Sequence, residues 1–190
     1  MRLNPLIPMA MVLLAGSVKA ESVEKTLQWA RENIARHAVT HHLEPPSRVS
    51  GTKWEIAGID GCTVSLKETT HREAPDSVVG SEGVFGLSED KVVTWTFDLG
   101  ALLPQFIMAD ASVGVPQLKI FAAGDAFHLQ TESTANLLRK NGAIQSSTNW
   151  SAARSERNLT MYFDSPSADN RELVKRLETD LRDAVALCSR

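Results

Sequence analysis

The chain has 190 residues, 43% of them hydrophobic and 23% charged, with two cysteines, a formal net charge of −3 and a mean hydropathy of −0.15. This composition describes one globular domain around a single core and excludes a disordered chain, a bundle of membrane spans and a disulfide-dense miniprotein. Two cysteines cannot build a four-cysteine zinc site, and a mildly acidic chain lacks the broad basic footprint of a nucleic-acid binder.

Residues 1–20 read as a secretory signal peptide. Met1-Arg2 is a short positive start, Leu3 to Gly16 is mostly apolar, and Val18-Lys19-Ala20 places small residues at the −3 and −1 positions of a cleavage site. Leu14-Ala15-Gly16-Ser17 resembles a lipoprotein box, but Ser17 stands where the acylated cysteine would be. The expected product is therefore an exported chain, in a bacterial periplasm or outside the cell, without a permanent membrane anchor. The alternative is an amphipathic first helix belonging to the folded domain. After the leader, residues 21–46 read as an N-terminal helix and linker, and residues 47–190 as one compact domain.

The elements follow in order. Val23, Leu27, Ala30, Ile34 and Ala38 recur near the helical period, with Ser22 as a cap, which predicts a helix from Ser22 to about Ala38. Glu44-Pro45-Pro46-Ser47 breaks it. From Lys53 the period becomes two, and Asp60-Gly61 marks a turn, which predicts a hairpin with Cys62, Val64 and Leu66 on one inward face. Glu73 to Asp90, rich in glycine, serine, proline and acids, reads as a long loop.

Val93, Trp95, Phe97 and Leu99 alternate with polar or smaller residues and make the clearest strand. Leu102 to Val115 is apolar without a period and reads as a short helix or a covering loop. Leu118, Ile120 and Ala122 form a strand, Ala123-Gly124-Asp125 turns, and Phe127 and Leu129 lead a return strand to Thr131. Thr134 to Asn141 reads as helix or turn, and Ile144 to Trp150 as a polar-edged strand. Leu159, Met161 and Phe163 face inward on the last strand. Asp169 and Glu172 then stand at capping-box spacing ahead of an amphipathic helix whose stripe runs Leu173, Leu177, Leu181, Ala184 and Cys188.

Export gives the cysteines a meaning. In an oxidising compartment Cys62 and Cys188 form one disulfide that pins the last helix to the first hairpin, worth about 4–5 kcal/mol in the chain-entropy model. The alternative is two separately buried thiols.

The predicted fold class is α+β: a bent antiparallel sheet or partly open barrel of six to seven strands, capped by the C-terminal helix, with an extra N-terminal helix. The element order from Lys53 to Cys188 resembles the pleckstrin-homology-like superfold, which implies about seven strands in a bent barrel plugged by that helix. The basic phosphoinositide loop of that superfold is absent between the first two strands, so its lipid-binding role is not implied. The second architecture is a layer with both helices on one face of a flat sheet.

Histidine is the first candidate chemistry. On a continuing helix His37 and His41, at i and i+4, would share a face and could chelate one metal ion, with Glu44 or His71 as a third ligand. A solvated helix end explains the same residues, and no cofactor is expected. There is no GxSxG elbow, GxGxxG turn, P-loop or HExxH pattern. Asp98, ending the clearest strand, is the best-placed single carboxylate. Trp150, with Arg154 and Arg157 nearby, marks either a partner surface or a sheet edge. Leu102, Leu103, Phe106, Ile107 and Met108 either line a small apolar pocket or cover the core. Asn149-Trp150-Ser151 and Asn158-Leu159-Thr160 fit glycosylation sequons. The expected function is a non-enzymatic binding or interaction module for a protein or a small apolar ligand. The alternative is a small secreted hydrolase with a site outside the known motifs, metal-assisted if His37 and His41 chelate an ion.

Overall fold

A computed structural model describes residues 9–44, 48–80, 83–112, 114–139, 141–163 and 168–189, with side chains for 22–40, 51–74, 86–112, 114–139, 141–163 and 169–189. The Pro45-Pro46-Ser47 break and the Ser165-Pro166-Ser167 stop lie outside the described residues. Helix α1 spans Met9–His37, so the helix expected from Ser22 is continuous with residues upstream of it. Its apolar stripe, Val23, Leu27, Ala30 and Ile34, is buried, as the 3.6-residue period requires. Among the described residues no helix is long and apolar enough to cross a membrane.

The chain is α+β. Among the described residues nine strands follow α1, where six or seven were expected, and they divide between two antiparallel sheets that do not close into a barrel. The large sheet has the order β1-β2-β3-β4-β7-β8, with β1 at Val39–Glu44, β2 at Arg48–Asp60, β3 at Thr63–Gly80, β4 at Gly83–Asp98, β7 at Phe127–Leu138 and β8 at Ile144–Glu156. The small sheet has the order β5-β6-β9, with β5 at Leu102–Asp110, β6 at Gln117–Ala122 and β9 at Asn158–Tyr162. Helix α2 spans Ala168–Cys188 and packs on α1, β5, β6 and the short 3-10 turn Leu99–Ala101, while α1 also covers β2.

The first hairpin folds as its sequence dictates. Gly61 has φ +59°, a conformation that glycine adopts without strain, and Val64 and Leu66 point into the core. Cys62 sits in the turn itself, half-buried against the core. Its sulfur is bonded to that of Cys188, with the two Cα atoms 5.8 Å apart and 126 residues of sequence between them. Leu99 N donates to Cys62 O at 2.9 Å, so hairpin, 3-10 turn and helix end meet at one place. On α2 the expected stripe is buried at Leu173, Val174, Leu177, Leu181, Ala184 and Val185. Asp169 lies within the first helical turn rather than ahead of it, where a carboxylate still suits the positive pole of the helix.

Four segments differ from expectation. Val39–Glu44, expected as helix end and linker, is β1. Glu73 to Asp90, expected as a loop, is almost wholly strand: β3 runs on to Gly80 and β4 begins at Gly83. Pro75, which cannot donate to a ladder, falls where the β3–β4 register shifts between Ala74 and Val78. It also lies beyond Glu73, the last β3 residue paired with β2, so the missing N–H breaks no bond on that side. Thr134 onward, expected as helix or turn, continues β7 to Leu138.

Leu102–Asp110 is the fourth, a strand rather than a helix or loop. Its pairing with β6 is irregular between Leu102 and Ile107, and this is why no period is visible in its sequence. The return strand from Phe127 also does not pair with β6. Gly124, at φ +91°, turns the chain out of the small sheet and into the large one. Beside it Arg157, where the chain crosses back, donates to Asp125 at 3.0 Å, and Ala122 N donates to Arg157 O at 2.9 Å.

The core occupies one half of the large sheet. Trp54, Ile56, Val64, Leu66, Val93, Phe97, Phe127 and Leu129 are buried there, with the Phe97 and Phe127 rings edge to face at 5.1 Å. Further along the same strands the buried side chains are Thr70, Thr131 and Ser133. Beyond Thr70, β3 continues for ten residues, about 33 Å of strand.

Candidate functional site

The strands position two faces and one edge in that outlying half. On the face that continues the core, Trp95 Nε1 donates to Glu68 Oε2 at 3.1 Å. Burial pushes the Glu68 carboxyl above its ordinary value, against the opposing pull of the Trp95 hydrogen bond and of Lys91, Arg154 and Arg72. Thr52 and Thr70 share a hydroxyl contact at 3.2 Å, and Ser133 donates to Glu89 at 3.0 Å. The apolar core thus gives way to a polar lining without leaving the sheet.

On the opposite face the register sets His71, Asp90, Thr134 and Asn149 in one row, which the main chain at His41 and Gly51 continues to six strands. His71 Nδ1 meets Asp90 Oδ1 at 2.6 Å, and its Nε2 meets Glu73 Oε1 at 3.2 Å. The Asp90 hydrogen bond holds the imidazole above its usual value, and Glu73 adds to the effect. Next to this pair a shallow hollow of about 550 Å³ is lined by Asp90, Val92, Glu132, Thr134, Asn149 and Ser151 among others.

The structure places the expected site residues as follows. α1 ends at His37 and His41 lies on β1, so the i, i+4 spacing does not put the two on one helical face, because the backbone between them is no longer helical. The side chain of His41 is outside the described ones. His71, the guessed third ligand, is instead engaged by two carboxylates. Among the described residues no group of three or more His, Cys, Asp and Glu side chains is placed to hold a metal ion. Asp98 caps the 3-10 turn, accepting from Gly100 N at 2.7 Å.

A second imidazole contact, His128 Nδ1 to Ser155 Oγ at 3.1 Å, lies six residues along β7 from the His71–Asp90 row. That is about 20 Å of strand, so serine, histidine and carboxylate are not assembled into one relay. Leu102 and Ile107 of β5 are buried, whereas Phe106 and Met108 are exposed, so this strand both covers the core and leaves apolar surface outside. Trp29 is half-buried between the helices, with the Arg176 guanidinium 3.8 Å above its ring. Asn149 and Asn158 of the two sequons are exposed.

The edges of the two sheets differ. α2 closes the open side of β5. Arg182 Nη2 donates to Ile107 O at 2.8 Å and its Nε to Pro104 O at 2.9 Å, while Ala109 N donates to Glu178 Oε2 at 3.0 Å. Arg182 and Glu178 are themselves paired at 2.6 Å. β8, the last strand of the large sheet, is exposed along its length apart from half-buried Glu156. It carries Ile144 at 62% exposure and Trp150 at 45%. Sequence reasoning placed Trp150 near a sheet edge but missed the His71 row, whose members are spread along the chain from position 41 to 149 and come together only by register.

No family model, no curated protein and no solved structure matches this chain.

Proposed function

We propose that the chain is an exported, non-enzymatic interaction module whose contact region is the outlying half of the large sheet. The observation that supports this reading is the exposed run of β8, where Trp150 and Ile144 stand in solvent on a strand that helps to cover no core. The disulfide between Cys62 and Cys188 is compatible with an oxidising destination, a bacterial periplasm or the extracellular space. Ala20 is the last residue of the leader in this reading. The element-order resemblance stated above adds no ligand to it. The hydrolase alternative gains no support from the described residues, since His71 is held between carboxylates and the His128–Ser155 pair stands apart.

A hydrophobic dye tests the contact region. At a dilution where the chain is monomeric the native protein is expected to enhance the dye's fluorescence, and Trp150→Ala to lower that signal with the far-UV spectrum unchanged. A monomeric native chain that leaves the dye dark overturns the reading. Mass spectrometry of exported protein should find Glu21 at the N-terminus; a retained Met1 refutes the leader.

A further inference from the structure

An edge strand turns alternate N–H and C=O groups outward, and those groups are a template for another strand. Proteins that keep such an edge unpaired shorten it, bulge it, place proline or lysine on it, or cover it. This molecule covers β5 with Arg182 and Glu178. For β8 it does none of these things beyond one register shift at the start of the strand. That strand runs thirteen residues, Ile144–Glu156, without proline or glycine, and its two charged residues, Arg154 and Glu156, stand together at one end. Its pairing to β7 is irregular only at Leu137/Leu138, beside its first residue. Among the described residues no group caps its outer side.

We propose that β8 pairs antiparallel with β8 of a second copy of this chain, joining two six-stranded sheets into one of twelve strands about a two-fold axis. This deepens the interaction-module reading by naming its partner.

Three features select a second copy. The first is length, because β8 is matched residue for residue by itself, whereas β1, at the opposite edge of the sheet, offers only six residues. The second is charge. In a pair centred on Trp150, Arg154 lies opposite Ser146, Glu156 opposite Ile144 and Thr148 opposite Ala152, so no like charges meet. Parallel pairing would oppose Arg154 to Arg154 and Glu156 to Glu156, which is destabilising. The third is closure. β8-to-β8 contact is isologous and stops at two chains, while β8-to-β1 contact is heterologous and would propagate. In the antiparallel pair Trp150 faces its own symmetry mate across the seam, so an aromatic cross-strand pair covers a side chain that is 45% exposed in the single chain.

Light scattering and sedimentation of the disulfide-bonded protein over a concentration series test the proposal. The native chain is expected at twice its single-chain mass. Thr148→Lys/Ala152→Lys and Thr148→Glu/Ala152→Glu each place like charges opposite one another across the seam, on side chains that are exposed in the single chain. Each double variant alone should lose the dimer, and an equimolar mixture of the two should regain it. A native protein that stays monomeric throughout, charged variants that remain dimeric, or a mixture that fails to associate overturns the proposal. Amide exchange on the native chain is the check if a variant misfolds: outward-facing β8 amides should be protected at high concentration and lose protection on dilution, and protection that ignores concentration counts against the dimer. A monomer that still binds the dye through Trp150 would remove this proposal and leave the interaction-module reading standing.

Discussion

The two halves of the large sheet share the same strands and obey different rules. In the inner half one face is dry: Trp54, Leu66, Phe97 and Phe127 belong to one buried apolar cluster with the inner stripes of α1 and α2, and α1 lies on β2. Toward Thr70 and beyond, that face carries hydroxyls and charges, where Ser133–Glu89 takes the place of packing, and the opposite face carries the His71–Asp90 pair. The first half is held by apolar burial, the second by main-chain ladders and exposed polar contacts. The contrast teaches that this sheet is longer than its core needs, and that the surplus is available surface.

Phe127→Ala strikes the dry half where three aromatic rings meet, and it should cost about 3–5 kcal/mol in chemical denaturation. A loss below ~1 kcal/mol would mean that the rings do not anchor the sheet to the helices. Cys62→Ser/Cys188→Ser unties the hairpin turn from the end of α2 and should lower stability by about 2–5 kcal/mol. An unchanged midpoint would show that helix packing alone holds that corner.

Arg182→Met keeps much of the side-chain volume but withdraws donors from Pro104 O and Ile107 O and the partner of Glu178, for an expected loss of about 1–3 kcal/mol. It should also expose the β5 edge, and amide exchange at Met108 to Asp110 would accelerate. If exchange is unchanged, α2 does not guard that edge and the contrast with β8 disappears.

His71→Gln gives the smallest effect, because the ring is half-exposed. The folded-state value of His71 is raised above its ordinary 6.5, so the imidazolium's contribution is complete below that pH and fades as pH rises through the raised value. The variant should be less stable than the native chain by at most about 1 kcal/mol near pH 5, and the gap should narrow at about pH 8. A gap of equal size at both pH values would assign the contact to neutral hydrogen bonding instead.

The legible parts of the fold were those with one dry face. Val93, Trp95, Phe97 and Leu99 alternate because one side of β4 faces the core there, and the α2 stripe repeats for the same reason. Where β3, β4 and β7 run past the apolar core, the sequence shows no alternation of the kind a dry face selects, and Glu73 to Asp90 and Thr134 to Leu138 look like loops. Trp150 was visible as a feature of the candidate region because tryptophan in a polar run stands out. His71 was visible only as a third ligand for a metal ion, and its meeting with Asp90 was not, since that depends on the β3–β4 register.

By itself, then, the sequence determined the local outcomes: the two amphipathic helices, the Asp60-Gly61 turn, the core strands, and a pair of cysteines with no other partner to take. Periodicity and turn chemistry act within a few residues, so they can be read without knowing the neighbours. Tertiary structure decided the division into two sheets, the reach of the strands beyond the core and the difference between a guarded and an open edge. Each of these depends on which segment supplies the next ladder of hydrogen bonds, and that partner lies tens of residues away in the chain.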